Sequence, residues 1–273
     1  SSLNYKDALS SVGNPGVTRV FPHITGVDVA GEIVETKSNI FKVGQKVIVT
    51  GYDLGMNTNG GHSQYVKVPA SWVVAIPSSL SDKEAMIYGT AGLTAALSIN
   101  ELINNNITQE SGDILVTGAS SGFGLLIANE LHRKGFNVIG TSRNPEKIKS
   151  AVPFKMISLD LDSDNSITTL PDRLFKEIDK LDVLINNAGF LVTGIAEEIP
   201  IELGRKQFET NFWGTIKVTN AILPSFRKQK FGKIITVGSI TGLVAFPNTS
   251  YYASSKHALE GYFKALRYEL AEF

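Results

Sequence analysis

The chain has 273 residues, and its 26 lysines and arginines balance its 26 aspartates and glutamates. Because a neutral chain has no overall field of the kind that gathers nucleic acid or coats an anionic membrane, we expect a small-molecule partner, with no nucleic acid and no membrane span. The sequence has no cysteine, which excludes disulfides, thiolate nucleophiles and cysteine-ligated zinc. Its four histidines lie far apart without ligand spacing, so we assign no metal. The N-terminal residues show no signal-peptide pattern, and we expect a cytoplasmic protein.

Residues 1–80 run in short β-like segments that are separated by glycine and proline. The segments are residues 27–35, 45–50, 63–68 and 72–76. This pattern predicts a small β-rich module. A helical pattern follows from Ser81 to about Asn104, with Ser81 as the N-cap and Glu84 at the capping-box position. A polar stretch, residues 104–112, then separates the two halves of the chain.

From residue 113 onward, apolar strand-like runs alternate with helical ones. The strand-like runs are residues 114–117, 138–141, 155–159, 183–186 and 233–237, and the helical ones are residues 123–134, 166–180, 201–227 and 250–270. Buried strands joined by helices predict an α/β fold with a Rossmann-type, doubly wound parallel sheet. The predicted division is therefore a β-rich module at 1–80, a helix and linker at 81–112, and a dinucleotide-binding and catalytic domain at 113–273.

The first strand of this predicted sheet leads directly into a glycine-rich turn and a helix. The turn and the helix start contain Gly118, Ser120, Ser121, Gly122, Phe123 and Gly124. Glycines let the backbone approach a pyrophosphate closely, and a helix N-terminus offers free N–H groups and the positive end of its dipole. The sequence therefore predicts a dinucleotide site here. A turn that contains glycine for backbone reasons alone is the alternative interpretation.

The residues after the second and third strands bear on the choice of cofactor. Arg143 stands where a carboxylate would bind the ribose hydroxyls of NAD, and an arginine can hold the 2′-phosphate of NADP instead. Asp160, followed by Leu161, is placed to accept a hydrogen bond from the adenine amino group. We therefore expect NADP(H) rather than NAD(H). A solvated arginine and a helix-capping aspartate are the alternative interpretations.

The fourth strand ends in a turn of small residues, Asn187, Ala188 and Gly189, that would let the backbone approach the cofactor. A long predicted helix carrying Asn211 follows, and the fifth strand leads to Ser239. These residues follow strand ends or lie on the next helix, and ligands bind at the carboxyl edge of such sheets. We therefore expect them to line one site.

Tyr252 and Lys256 are four residues apart, so on a helix their side chains are adjacent on one face. A nearby ammonium lowers the pKa of a phenol from its ordinary value of about 10, which lets the tyrosine act as an acid or base near neutrality. Such a pair also occurs on many surface helices. Its place after the preceding motifs, in their order along the chain, favours a catalytic pair.

These motifs resemble the short-chain dehydrogenase/reductase family over about residues 114–273, through Thr-Gly-x-x-x-Gly-x-Gly, Asn-Asn-Ala-Gly and Tyr-x-x-x-Lys. The resemblance implies that a carbonyl and an alcohol are interconverted by hydride transfer. It implies that Tyr252 donates a proton to the carbonyl, while Lys256 lowers the pKa of Tyr252 and binds the nicotinamide ribose. Ser239 would hold the substrate oxygen, and Asn211 would anchor a water in the proton relay. Homodimers or homotetramers are implied as well.

Residues 1–113 resemble the GroES-like domain of a zinc-free medium-chain quinone or acrylyl-CoA reductase. The matching segments are residues 4–7, 26–32, 43–47 and 89–95. Zinc-dependent relatives carry Gly-His-Glu near the position of Gly26-Val27-Asp28, which also implies no metal. This resemblance gives an alternative function, the reduction of a conjugated C=C bond with Tyr5 near the nicotinamide. A nucleotide-binding fusion fragment without turnover is a third possibility.

Both halves are shorter than the families they resemble, which predicts a fusion or a fragment with a sheet truncated at its C-terminal end. Such a truncation would leave the 233–237 strand at the edge of the sheet with unpaired backbone groups. We therefore expect poor solubility of the isolated chain. The sequence does not identify the substrate.

Overall fold

The computed structural model describes residues 1–14, 17–104 and 112–271, and the chain divides into two compact units, residues 1–94 and 95–273. In the first unit, helix α1 (Tyr5–Ser11) precedes three antiparallel strands. These are β1 (Asp28–Glu32), β2 (Lys46–Thr50) and β3 (Val74–Ala75), in the spatial order β1-β2-β3. The small antiparallel sheet confirms the predicted β-rich module.

The strand predicted at residues 63–68 is wrong, because the described chain has no strand there. The hydroxyl of Ser63 donates to the carbonyls of Gly60 (3.0 Å) and Tyr65 (2.8 Å), which closes a local turn in place of a ladder. The prediction for residues 72–76 is partly right. A short 3-10 helix (Ala70–Trp72) precedes the two residues of β3.

Helix α2 (Asp82–Asn104) confirms the predicted helix and its capping box. Ser81 Oγ accepts the N–H of Glu84 (3.2 Å), and the Glu84 carboxylate accepts the N–H of Ser81 (2.8 Å). The helix is kinked at Gly89, where φ is +47°. A Cβ there would lie 2.6 Å from Asp28 Oδ2, so the glycine allows the close approach of a buried carboxylate that accepts two hydrogen bonds from Thr90. Residues 105–111 of the predicted polar stretch lie outside the described residues.

The second unit is built on five parallel strands in the spatial order β6-β5-β4-β7-β8. They are β4 (Asp113–Val116), β5 (Asn137–Ser142), β6 (Lys155–Ser158), β7 (Leu181–Asn186) and β8 (Lys233–Thr236). The main helices are α3 (Gly122–Arg133), α4 (Asp164–Thr168), α5 (Leu170–Leu174), α6 (Ile201–Phe208), α7 (Thr215–Gln229) and α8 (Ser250–Glu269). This sheet confirms the predicted parallel Rossmann-type fold.

Alternating residues of one strand belong to two separate cores, because successive side chains of a strand point to opposite faces. Ile114 and Val116 of β4 pack in a cluster with Ile127 of α3. Leu115, which lies between them, packs in a second cluster with Val218 of α7. Helices therefore cover both faces of the sheet. Strand β8 forms one edge, and a groove of about 710 Å³ beside it is lined by β8, α7 and α8.

Two long predicted helices are interrupted. Residues 166–180 contain the end of α4 and the short α5, because Pro171 stands in the first turn of α5 and cannot donate a backbone hydrogen bond. Residues 201–227 contain α6, a π-helical segment (Glu209–Gly214) and most of α7. Within the described ranges, no helix is long and apolar enough to cross a membrane.

Candidate active site

The glycine-rich turn after β4 leaves the N-terminus of α3 open. The N–H groups of Gly122, Phe123 and Gly124 make no hydrogen bond with any residue that the structure describes. Ser121 is the N-cap but its side chain does not cap the helix. Gly122 has φ +55°, and a Cβ there would point into open space. Three free N–H groups at the positive end of a 12-residue helix suit an anion such as a phosphate.

The turn after β7 packs directly against this glycine-rich turn. A Cβ on Gly118 would lie 2.9 Å from Ala188 Cα, and the φ of Gly118 is +68°, so both space and conformation require glycine. Thr117 Oγ1 accepts the N–H groups of Asn187 (2.9 Å) and Ala188 (3.1 Å). Asn187 Nδ2 in turn donates to the carbonyl of Thr117 (2.9 Å). The two turns are therefore held together by polar contacts.

Thr117 holds the two turns of the site together, although no role was predicted for it from the sequence. It is buried, and its hydroxyl also donates to the carbonyl of Ile185 (3.3 Å). A hydroxyl residue that ends an otherwise apolar strand, directly before a glycine, was the available signal. Thr141 has a similar place at the end of β5, where Oγ1 accepts the N–H of Gly118 (3.3 Å).

The residues predicted to contact the adenosine part follow β5 and β6. The side chain of Arg143 is exposed and makes no hydrogen bond or ion pair with any described residue. Asp160 accepts the N–H of Asp162 (3.1 Å), while Ser163 caps α4. Asp160 therefore closes a turn rather than capping the helix. The side chain of Leu161 is buried in the core, where a Cβ on Gly214 would lie 2.7 Å from its own Cβ.

Asn211 lies in the π-helical segment and is buried. Its Oδ1 accepts the N–H of Phe190 (2.9 Å), and its Nδ2 donates to the carbonyl of Phe190 (2.8 Å). Gln207, one turn earlier, donates to the same carbonyl (2.9 Å) and was missed by the sequence analysis. A polar residue four positions before Asn211 on one helix was the available signal. Together the two amides fix the chain that follows Gly189.

Ser239 and Tyr252 meet at the carboxyl end of β8. Thr241 donates its N–H (3.2 Å) and its hydroxyl (2.8 Å) to Ser239 Oγ. Tyr252 is largely buried, and burial raises the pKa of its phenol above the ordinary value, while a hydrogen bond with Ser239 acts in the opposite direction. At neutral pH the phenol therefore holds its proton.

Lys256 lies one turn further along α8, with Nζ 5.8 Å from the centroid of the Tyr252 ring. Its ammonium donates to the carbonyl of Val237 (2.8 Å). Burial lowers the pKa of Lys256 to about 8, and the charge of Glu260 only partly opposes that change. The predicted spacing on one helix face is confirmed.

The expectation that Lys256 lowers the pKa of Tyr252 is wrong for this structure. Burial, the larger influence, raises the pKa of the phenol, and the opposing contribution comes from Ser239 rather than from an ammonium. The reason is geometric, because the Lys256 ammonium is directed to the Val237 carbonyl.

The predicted residues come from turns and helices that follow the carboxyl ends of the strands. In a parallel sheet these ends lie at one edge, so the glycine-rich turn, the Asn187 turn, Ser239 and Tyr252 share that edge. The edge offers free N–H groups for an anion and a buried phenol beside a hydroxyl. Among the described residues there is no group of three or more histidine, aspartate or glutamate side chains that could hold a metal ion.

Comparison with known proteins gives two families along the chain. The family model described as short chain dehydrogenase matches residues 113–273. The model described as alcohol dehydrogenase GroES-like domain matches residues 1–78. Both matches confirm the resemblances found in the sequence.

Individual relatives match parts of the chain. YhfP of Bacillus subtilis (strain 168), provisionally named a quinone oxidoreductase, is 43% identical over 146 residues, which cover 54% of this chain and 44% of YhfP. YusZ of the same organism, an uncharacterized oxidoreductase, is 45% identical over 169 residues, which cover 58% of this chain and 60% of YusZ. A crystal structure of an actinorhodin polyketide ketoreductase variant with NADPH superposes with a TM-score of 0.56 at 33% identity, covering 60% of this chain and 67% of that chain.

The chain thus spans about half the length of the curated relatives it matches, 44% of YhfP and 60% of YusZ. The sheet order, the open turn at α3 and the Tyr252–Lys256 helix all lie within residues 113–273. The short chain dehydrogenase model matches this same region, more than half of the chain. The chain therefore belongs to the short chain dehydrogenase family.

Proposed function

We propose that the chain binds NADP(H) and interconverts a carbonyl and an alcohol by hydride transfer, with Tyr252 as the acid and base. The observation that carries this proposal is the position of the largely buried Tyr252 phenol beside Ser239, with Lys256 one turn further along the same helix. This group lies at the edge of the sheet where the free N–H groups of α3 are found. The dinucleotide, when bound, supplies or accepts the hydride.

The residues of the site fit a dinucleotide with a phosphate on its ribose. The N–H groups of Gly122, Phe123 and Gly124 would hold the pyrophosphate, since they have no other partner among the described residues. Arg143, exposed after β5, would hold the 2′-phosphate. The ketoreductase neighbour was solved with NADPH, which supports the same choice.

Each polar group of the catalytic set has a defined task in the proposal. Tyr252 holds its proton at neutral pH, as a proton donor to a carbonyl oxygen must, because burial raises the pKa of the phenol. Ser239 Oγ accepts two hydrogen bonds from Thr241, which orients its own O–H toward a substrate oxygen. The Nζ of Lys256 lies 5.8 Å from the centroid of the phenol ring, and its pKa near 8 keeps it largely charged at neutral pH. Asn211 and Gln207 position the backbone at Phe190.

The test is the Tyr252→Phe variant, assayed for NADPH-dependent reduction of a panel of ketones and aldehydes. Loss of the proton donor is expected to lower kcat by about 10²- to 10⁴-fold while NADPH binding is retained. The matched control is Tyr262→Phe, which removes a hydroxyl on the same helix that donates to Asn220 (3.1 Å). Full carbonyl reduction by Tyr252→Phe would contradict the proposal. NADPH binding without turnover by the unaltered chain would favour a nucleotide-binding module.

A second candidate is reduction of a conjugated C=C bond, favoured by the GroES-like match at residues 1–78 and by the relative YhfP. Reaction with an α,β-unsaturated ketone separates the two functions. An allylic alcohol as the product supports Tyr252 chemistry, whereas a saturated ketone supports the second candidate. The cytoplasmic location, the homodimer or homotetramer, and the division at residues 80 and 112 stay predictions.

A further inference from the structure

Glu260 follows Lys256 by one turn of α8, and its side chain reaches the chain on both sides of Ser239. A Cβ on Gly238 would lie 3.1 Å from Glu260 Oε1, and a Cβ on Gly242 would lie 3.2 Å from Glu260 Cγ. The lack of a side chain at these two glycines lets the carboxylate lie close to the proposed site. We propose that Glu260 is a positioning residue that keeps Lys256 a cation. This inference rests on the proposed function, because it concerns the same site.

Glu260 and Lys256 reach consecutive residues of the same segment. Lys256 Nζ donates to the carbonyl of Val237 (2.8 Å), and the Glu260 carboxylate lies against Gly238, the next residue. Side chains four residues apart on a helix are neighbours, and opposite charges in that arrangement attract each other. Lys256 is 6% exposed, whereas the side chain of Glu260 is 33% exposed. The glutamate therefore stays partly hydrated, and the lysine is the partner whose charge needs support.

The elements packed around this part of α8 offer no competing charge. Residues 183–196 and 234–250, which include the ends of β7 and β8 and the turn at Ser239, contain no ionisable side chain. Glu209 of the π-helical segment binds Lys217 (2.6 Å). Helix α6 packs against α8, and its charged residues are exposed: Glu202, Arg205 and Lys206.

The other ionisable groups near Lys256 lie on α8 itself. Tyr251 and Tyr252 precede it, and phenols are uncharged at neutral pH. His257 is exposed. Lys264 binds the far side of Glu260, with Nζ 3.3 Å from Oε2. Among the described residues, Glu260 is therefore the negative charge that acts on Lys256.

The charge of Lys256 is sensitive to this neighbour. Burial lowers the pKa of Lys256 to about 8, and the charge of Glu260 acts in the opposite direction. A pKa of about 8 is so close to neutrality that any further lowering leaves part of the side chain neutral near pH 7. A neutral amine supplies no positive charge beside the Tyr252 ring, whose centroid is 5.8 Å from Nζ. Glu260 thus preserves the cation in the pH range of the proposed reaction.

The test is the Glu260→Gln variant, which keeps the shape of the side chain and removes its charge. Titration of the Lys256 side chain by NMR, in protein labelled with ¹³C-lysine and without substrate, is expected to give a midpoint below that of the unaltered chain. In carbonyl reduction, kcat/KM is expected to fall by about two- to fivefold at about pH 8 and to change little at about pH 6. Glu260→Asp, which restores the charge, should recover most of both effects. The matched control is Glu269→Gln, which removes an exposed carboxylate further along the same helix and should change neither readout.

The outcomes separate this inference from the proposed function. A Lys256 midpoint that is the same in Glu260→Gln and in the unaltered chain overturns the inference. Activity that falls equally at every pH, with an unchanged midpoint, shows a role in packing only and also overturns it. Reduction that needs Tyr252 but keeps its pH profile in Glu260→Gln overturns the inference and leaves the proposed function intact. If the unaltered chain reduces no ketone or aldehyde, the proposed function fails, and the NMR midpoint still decides whether Glu260 keeps Lys256 charged.

Discussion

Replacing Lys256 with methionine removes a buried ammonium whose cost to the folded state can be worked out. The side chain is 6% exposed, and burial lowers its pKa from 10.5 to about 8. That difference corresponds to about 3 kcal/mol between the two protonation states. Above the ordinary lysine pKa the amine is neutral in the folded and the unfolded chain, and its burial carries no charge penalty. As the pH falls from about 10.5 to about 8, the unfolded chain is protonated while the folded chain is not, so the stability contributed by Lys256 is lost over this range and changes little further below about pH 8.

The free energy of unfolding of the unaltered protein, minus that of Lys256→Met, is therefore expected to rise by about 2 to 3 kcal/mol from about pH 7 to about pH 10. Urea unfolding followed by tryptophan fluorescence measures this difference. The chain has 2 tryptophans, so a Trp72→Phe background leaves Trp213 to report on the second unit alone.

The control is Lys264→Met, which removes a lysine on the same helix that is 66% exposed and pairs with Glu260 (3.3 Å). Its stability difference should depend little on pH over this range, because an exposed ammonium stays hydrated. A difference for Lys256→Met that is constant across the pH range, or that falls as the pH rises, would refute the reasoning. Direct titration of the Lys256 side chain by NMR should give a midpoint near pH 8.

Two further predictions concern the dinucleotide site. Thr117→Val keeps the shape of the side chain but leaves the N–H groups of Asn187 and Ala188 without their acceptor, so we expect a loss of about 1 to 3 kcal/mol in urea unfolding and weaker NADPH binding. The control is Thr168→Val, which removes an exposed hydroxyl that bonds only within α4, and it should show neither effect. Arg143→Ala should raise the Kd for NADPH by about tenfold or more and leave that for NADH unchanged, as measured by fluorescence titration. Equal losses for both cofactors would contradict a 2′-phosphate contact, and Arg267→Ala controls for loss of a surface cation.

Most of the parallel strands were predictable because their middle residues are buried on both faces and therefore read as apolar runs. Strand β7 is buried at all six positions, and the prediction at 183–186 missed only its first two residues. The strand prediction at residues 63–68 was wrong for the opposite reason. Its alternating pattern depends on a partner strand, and the local bonds of Ser63 took the place of a ladder.

In the site, the residue types that each motif requires were predictable from the sequence. The direction in which each polar group points was not. Gly118 was predictable because only glycine fits its contact with Ala188. The pair of hydrogen bonds between the Asn211 amide and the backbone of Phe190 was not predictable, because helical periodicity does not reveal a π-helical turn six residues long. The pKa of Tyr252 was also beyond the sequence, since it depends on burial that only the packed fold establishes.

The π-helical segment between α6 and α7 makes the site sensitive to a change in chain length. A π-helical turn closes i to i+5 bonds and so contains more residues than an α-helical turn. Deleting one residue from Glu209–Gly214 would let α6 and α7 merge into one regular helix with both flanks still in phase, because the six residues of this segment and five residues of an α-helix turn through about the same angle. Asn211, which lies in the segment, would then lose the position from which it bonds Phe190. A single-codon deletion could thus abolish the hydrogen bonds between Asn211 and Phe190 while the apolar pattern of both helices stayed intact. An alignment that reads residues 201–229 as one regular helix would therefore place the wrong side chain at the position of Asn211.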